Sequence, residues 1–175
     1  MSTTRVSRVL NNNAVMVSED DDRMAIVLGR AIGYGKTPGD VIDAALVTER
    51  FLPDQSTPID RLAAFLTDTP IEVVRVAREI AELAHTRLAL RISQALILPL
   101  ADHLAFALER VRTGTELDHP LRWEVGQLYP AEVALAKEAL ELLRRHLGAD
   151  LPIDEATPIA MHLVNAQFAV PSMAP

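Results

Sequence analysis

Apolar residues follow two different rhythms along this chain. Up to about Phe51 they come in short, β-branched runs: Arg5 to Leu10, Ala14 to Val17, Met24 to Leu28 and Leu46 to Phe51. Runs of this length separated by polar breaks predict four small antiparallel strands. The breaks are Asn11-Asn12-Asn13, the acidic Glu19-Asp20-Asp21-Asp22, and Gly29 to Asp40 with Gly33, Gly35, Pro38 and Gly39 inside it, all of them turn chemistry. Four short strands enclose little apolar surface, so pairing of the exposed face with a second copy is expected.

Beyond Pro53-Asp54-Gln55-Ser56-Thr57-Pro58 the period changes to that of helices. Thr69-Pro70-Ile71-Glu72 has capping-box spacing and opens a helix to about residue 88, with Val73, Val76, Ala77, Ile80 and Ala84 on one side. A second helix covers roughly Ile92 to Arg112, where Pro99 predicts a kink or a restart. A third runs from Pro130 through Leu147 with Gly148 as its stop. The last spans about Asp154 to Phe168, and Pro158 allows its start to shift so that Thr157 caps it. The expected architecture is α+β and multidomain. A small four-stranded antiparallel β domain covers 1–55, a linker 56–68, and an all-α helical bundle 69–175.

Composition narrows the chemistry. Of 175 residues, 49% are hydrophobic and 23% charged, which is a folding composition. The absence of cysteine excludes disulfides, thiol catalysis and Cys-ligated zinc or iron–sulfur centres, and suits a reducing compartment. Met1 to Arg8 has no apolar signal core and no uninterrupted apolar run reaches ~18 residues, so neither secretion nor membrane insertion is expected and a cytoplasmic location is. The net charge of −7 argues at first sight against a general nucleic-acid binder.

Two constellations could carry chemistry. Gly29-Arg30-Ala31-Ile32-Gly33-Tyr34-Gly35-Lys36-Thr37 ends like a phosphate-binding P-loop, but the spacing from Gly29 is one residue too long and Pro38-Gly39-Asp40 turns the chain where a helix must begin. The same segment offers a ring, cations and accessible backbone, a combination that can hold unpaired RNA bases, and Asn13 could add an amide. Local residues equally fit plain hairpin geometry, the commoner use of Asn and Gly. Among five histidines, His85, His119 and His146 sit where solvated or helix-terminal imidazoles are ordinary. His103 and His162 border apolar helix faces and could converge, or be unrelated core histidines. Neither has a second histidine one turn away, so no metal site is expected.

Arg8-Val9-Leu10-Asn11-Asn12-Asn13-Ala14 followed by Ile26-Val27-Leu28-Gly29-Arg30-Ala31-Ile32-Gly33-Tyr34-Gly35-Lys36 closely resembles the co-antiterminator (CAT) RNA-binding domain of the BglG/SacY transcriptional antiterminators. Leu100-Ala101-Asp102-His103-Leu104-Ala105-Phe106-Ala107 with Glu109-Arg110, Pro120 to Val125, Tyr129-Pro130, Leu151-Pro152 with Asp154-Glu155-Ala156, and Ile159-Ala160-Met161-His162-Leu163-Val164-Asn165-Ala166 resemble the phosphotransferase-system regulation domain (PRD) that follows CAT in that family. The resemblance implies a dimer that stabilises an antiterminator RNA hairpin and prevents a terminator from forming. It places Arg8, Asn13, Gly29, Arg30 and Tyr34 at RNA-contact positions, with Lys36 beside them. It makes His103 and His162 the positions phosphorylated by a sugar-transport enzyme or phosphocarrier protein of the phosphotransferase system, with Asp102 and Asn165 orienting them. Three positions depart from the pattern. Arg8 stands where Lys is frequent, Tyr34 where Phe is usual, and Thr157-Pro158 where a Gly-aromatic pair is expected. Relatives carry a second PRD after the first, which would hold activating sites.

The expectation is therefore a regulator that catalyses nothing itself and needs no cofactor. One alternative is a phosphotransfer-responsive interaction module without RNA binding; another is a small His/Asp enzyme with a closed pocket at His103 and His162. The charge is compatible with RNA. Residues 1–52 hold six Lys+Arg against seven Asp+Glu, so most of the negative charge lies in the helical part. Asp20 to Asp22 should sit in a turn away from the RNA surface.

Overall fold

The computed structural model describes residues 3–115 and 118–168. The chain forms two compact units, 1–71 and 72–175. In the first, strands β1 (Arg5–Asn11), β2 (Ala14–Ser18), β3 (Met24–Leu28) and β4 (Glu49–Phe51) make one antiparallel sheet in the order β1-β2-β3-β4. Register pairs Val9 with Val15, Val15 with Val27, and Ile26 with Phe51. The fourth strand is shorter than expected. Ala44–Leu46 is a 3-10 turn whose Ala45 N–H donates to Asp43 Oδ1 at 3.0 Å, so the apolar run from Leu46 is split between turn and strand.

The alternation of a pleated strand sends residues to both faces. Val15, Val17, Ala25 and Val27 pack with Val6, Ile32 and Ile42 on one side. Ala14, Met16, Ile26, Leu28 and Phe51, equally buried, face the other. That second face is covered by a helix, α1 (Ile59–Asp68), within the stretch expected to be a linker. The two prolines and the polar run before it mask an amphipathic period. Ile59, Leu62, Ala63 and Leu66 recur at i, i+3, i+4 and i+7, and the last three are fully buried. Helix α1 therefore supplies cover that the strands lack. The opposite face is covered only in part by the 32–47 segment, where Val41 stays 50% exposed.

The second unit carries α2 (Ile71–Leu88, which begins at the junction), α3 (Gln94–Thr113), α4 (Arg122–Leu128), α5 (Pro130–Leu147) and α6 (Ala156–Phe168). Ile80, Ala84, Leu100, Leu104, Leu135, Leu143, Ile159 and Leu163 are among its buried residues, and α6 packs against both α3 and α5. Gly148 ends α5 in the left-handed conformation, as the pattern predicts. Three details differ from expectation. Pro99 is the sixth residue of one uninterrupted α3, with no restart. The Thr69 hydroxyl donates to Phe65 O at 2.7 Å, at the end of α1, instead of capping α2. Thr157 is buried inside the first turn of α6, which starts at Ala156 after a 3-10 turn over Ile153–Glu155, so it caps nothing. No helix among the described residues is long and apolar enough to cross a membrane.

Truncating Leu66 should remove about 2–5 kcal/mol from the first unit, since its side chain is fully buried against the sheet. Asp60→Ala on the solvent side of the same helix should change stability by no more than about 0.5 kcal/mol. Urea titration of both variants measures the difference. Equal and small effects would mean that α1 does not belong to the folded core.

Candidate functional site

The β1–β2 turn and the segment after β3 meet at one end of the sheet and are stitched together by hydrogen bonds. Gly29 N–H donates to Asn13 O at 3.0 Å, Gly33 N–H to Asn12 O at 2.9 Å, and Ala31 N–H to the Asn13 side-chain oxygen at 2.8 Å. Asn11 fastens the turn from behind. Its oxygen accepts from Asn13 N–H at 2.7 Å while its Nδ2 donates to Thr67 O at 3.0 Å, occupying a terminal carbonyl of α1. Two of the three asparagines are thus structural ties between segments. Ala31 sits at φ 61, a conformation costly for a residue with a Cβ, and the bond from Asn13 holds it there.

Gly29 and Gly33 permit the close approach. A Cβ on Gly29 would lie 1.9 Å from Leu46 O, and one on Gly33 would lie 2.3 Å from Asn11 O. Gly29 is accordingly buried and shapes the loop rather than presenting itself. Arg30 is exposed, Lys36 half-buried, and the Tyr34 ring is 73% exposed with its hydroxyl free to remain hydrated. The structure thus brings Asn13, Gly29, Arg30, Tyr34 and Lys36 into one turn-and-loop cluster. Arg8 lies apart, exposed on β1 opposite Met16, two rungs from the turn. The acidic turn with Asp20, Asp21 and Asp22 joins β2 to β3 at the opposite end of the strands.

In the second unit, His103 of α3 and His162 of α6 do converge, with ring centroids 5.3 Å apart and planes tilted by 54°. Facing His103 is a carboxylate that the sequence did not mark as functional. Glu155, 2% exposed, takes a bidentate contact from Arg110: Nη2 at 2.8 Å to both carboxylate oxygens and Nε at 3.1 Å to Oε1. His103 Nε2 lies 3.4 Å from Glu155 Oε2, a close approach without the geometry of a directed hydrogen bond. Asp102 and Asn165, the expected orienting partners, are exposed. Part of the signal was spacing: His103 and Arg110 stand seven residues apart, two turns along one face of α3, while Glu155 lies in the turn just before α6.

Burial raises the Glu155 carboxyl, but the contacts from His103 and Arg110 outweigh it and hold the group below its ordinary value, hence charged at neutral pH. Burial, helped by the neighbouring His103 and opposed by Asp102, pushes His162 below the ordinary imidazole value, so its ring is neutral and has a free lone pair. The other three histidines are satisfied locally. His85 Nδ1 lies 2.9 Å from Leu90 O, His146 Nε2 3.0 Å from Glu79, and His119 Nδ1 accepts from Leu121 N–H at 3.2 Å. Among the described residues no group of three or more His, Asp or Glu is placed to hold a metal ion.

A small β unit with an exposed aromatic loop, followed by helices that bring two histidines together, is a two-module architecture. Residues 4–58 match the CAT RNA binding domain and residues 78–166 the PRD domain. The chain is 41% identical over 164 residues to the beta-glucoside operon antiterminator of Dickeya chrysanthemi and 34% identical over 164 residues to the transcription antiterminator LicT of Bacillus subtilis. Each alignment covers 94% of this chain, and 58% and 59% of those relatives' own length. The crystal structure of GlcT CAT-PRDI superposes with a TM-score of 0.74 at 27% identity, covering 96% of this chain and 99% of that one. The chain belongs to the CAT–PRD family of BglG/SacY-type antiterminators, a family of regulators and not of enzymes.

Because the fold lowers the His162 value, the unfolded chain takes up a proton first as pH falls. The stability this contributes is complete above the ordinary imidazole value of 6.5 and is lost as pH drops through the lower folded value. Glu155, also lowered, acts the same way beneath its ordinary 4.5. In urea titrations, the wild type should lose stability between pH 7.5 and 5.5, and His162→Gln should lose less. An identical drop in both would show that His162 does not titrate differently on folding.

Proposed function

We propose that this chain acts as an RNA-binding transcriptional antiterminator. Its first unit holds an RNA hairpin so that a competing terminator cannot form, and its second unit is controlled by phosphorylation of His103 and His162. The observation that carries the RNA reading is the stitched cluster at one end of the sheet. It offers an exposed Tyr34 ring for stacking on an unpaired base, Arg30 and Lys36 for phosphates, and Asn13 with its oxygen engaged and its Nδ2 hydrogens available to a base or phosphate acceptor. Arg8, two rungs up the edge strand, extends the cationic track. The relatives named as antiterminators support the same reading.

The chain works as a homodimer in the cytoplasm, and its phosphoryl donor is a sugar-transport enzyme or phosphocarrier protein of the phosphotransferase system. Support for pairing comes from the incompletely covered sheet face, a shallow groove lined by Val27, Val41, Ile42 and Val47. A neutral imidazole is a competent phosphoryl acceptor, and the product places more than one negative charge beside a helix interface. That charge reaches RNA affinity through the pairing of subunits and not through the RNA surface itself.

Titration of a short RNA hairpin carrying internal-loop asymmetry, at increasing salt, tests the RNA reading. Tyr34→Ala should weaken binding about 10- to 100-fold, the loss of one stacked base. Asn13→Asp keeps the acceptor for Ala31 N–H but removes the donors, so it should lose RNA while retaining wild-type thermal stability. Absence of binding by the wild type at low salt would sink the RNA reading and leave a phosphotransfer-responsive module without RNA.

A further inference from the structure

The family likeness says nothing about which nitrogen of His103 reacts, and the geometry around Glu155 does. His103 Nε2 is buried, has no directed hydrogen bond, and lies 3.4 Å from a carboxylate oxygen already drawn in by Arg110. The side chain of His103 is 14% exposed, with almost none of that at Nε2. Two lone pairs facing each other in a buried site are unfavourable, so Nε2 carries the proton, and in the neutral ring the free lone pair is then on Nδ1. The Glu155 carboxyl, held below its ordinary value, is the charged partner that this requires.

Phosphoryl transfer at Nε2 would meet two obstacles. The phosphorus must come in line to within about 3–3.5 Å of the attacking nitrogen, and Nε2 is closed. The three equatorial oxygens of the transition state gather negative charge, which would develop against Glu155. Nδ1, on the other flank of the ring from Glu155 and not among the buried atoms that lack a partner, meets neither obstacle. We propose, resting on the phosphoacceptor reading above, that Glu155 is a positioning residue that holds His103 as its Nε2–H tautomer and directs the phosphoryl group to Nδ1.

The step balances without any further reactant. The Nδ1 lone pair forms a bond to the phosphorus of a donor N-phosphohistidine, and the donor P–N bond breaks with its electrons returning to the donor ring. That ring leaves as a neutral imidazole, keeping the proton on its other nitrogen. His103 becomes an N-phosphorylated imidazolium whose Nε2–H faces Glu155. A buried carboxylate behind an imidazole fixes the tautomer and stabilises the ring cation, without itself accepting the proton. Arg110 keeps the carboxylate in place, and Asp102 and His162 are the other titratable neighbours.

Long-range 1H–15N correlation spectra of the 15N-labelled chain, with His103 assigned by comparison with His103→Gln, read the tautomer directly. Treatment with phosphoramidate, which delivers phosphoryl to imidazole and releases ammonia, then reads the position of the N–P bond by 31P and 15N NMR. The wild type should show the Nε2–H tautomer and an Nδ1:Nε2 product ratio of at least about ten at His103. Glu155→Gln should bring both tautomers into view and move the ratio toward equality. A wild-type Nδ1–H tautomer, product at Nε2, or an unchanged ratio in folded Glu155→Gln would overturn the proposal. If Glu155→Gln does not fold, the wild-type tautomer and product decide alone. Labelling of neither histidine would overturn the phosphoacceptor reading and the transfer step with it, while the tautomer still judges the placement of Glu155.

Discussion

A carboxylate that is 2% exposed must be paired, and Glu155 is paired by Arg110. This single requirement organises the helical unit around the histidines. Glu155 closes the 3-10 turn that leads into α6, and Arg110 projects from α3, so satisfying the charge fixes the height at which those two helices meet. His103, two turns before Arg110 on α3, and His162, within α6 beyond the 3-10 turn, then meet with ring centroids 5.3 Å apart. Removing the guanidinium would leave a buried anion uncompensated, a loss of order 3–5 kcal/mol, so the pair is held by a constraint the domain cannot relax locally. The exposed ion pair of Arg122 with Asp154 beside it contributes far less, because water screens it.

The β unit solves a comparable problem with neutral groups. A loop that must stand away from the sheet exposes backbone donors and acceptors, and here they are consumed by Asn11 and Asn13. The consequence is a surface whose shape is preset. Tyr34 and Arg30 are held out from a loop whose own hydrogen bonds are already made, so little ordering remains for a ligand to impose. A preset patch of this kind, with a few cations on a nearly neutral unit, would select by shape and stacking more than by bulk charge, which makes the proposed RNA recognition compatible with a net charge of −7.

The strands and four of the six helices among the described residues were legible because each leaves a periodic signal longer than one turn, whereas spacing left open whether His103 and His162 converge. Helix α1 was hidden because its polar, proline-flanked entry reads as linker, although Ile59, Leu62, Ala63 and Leu66 carry the full amphipathic period. Helix α4 spans only Arg122–Leu128 and buries one apolar side chain, Val125, too little to generate a pattern. Thr69 illustrates a different limit. A hydroxyl near a helix end can bond forward or backward with similar ease, and tertiary packing decides which. The residues expected in the candidate loop do cluster at one end of the sheet, but the division of labour among them was not visible: Gly29 gives room to Leu46 O, and the Asn13 side chain braces Ala31.

The histidine pair and its carboxylate also explain why a phosphoryl group there would act at a distance. Arg110 is the cation in direct contact with this cluster and is already shared by both oxygens of Glu155. A phosphate on either ring is a stronger acceptor than a carboxylate and bears more charge, so it competes for the same guanidinium. Any part of Arg110 that it captures is taken from Glu155, whose burial is tolerable only while paired. Relief then requires water at Glu155 or a shift of the 3-10 turn and α6 relative to α3. A local chemical change would thereby become a change in helix packing, because Arg110 and the ring cation together carry less charge than Glu155 and a phosphoryl group of nearly two negative charges.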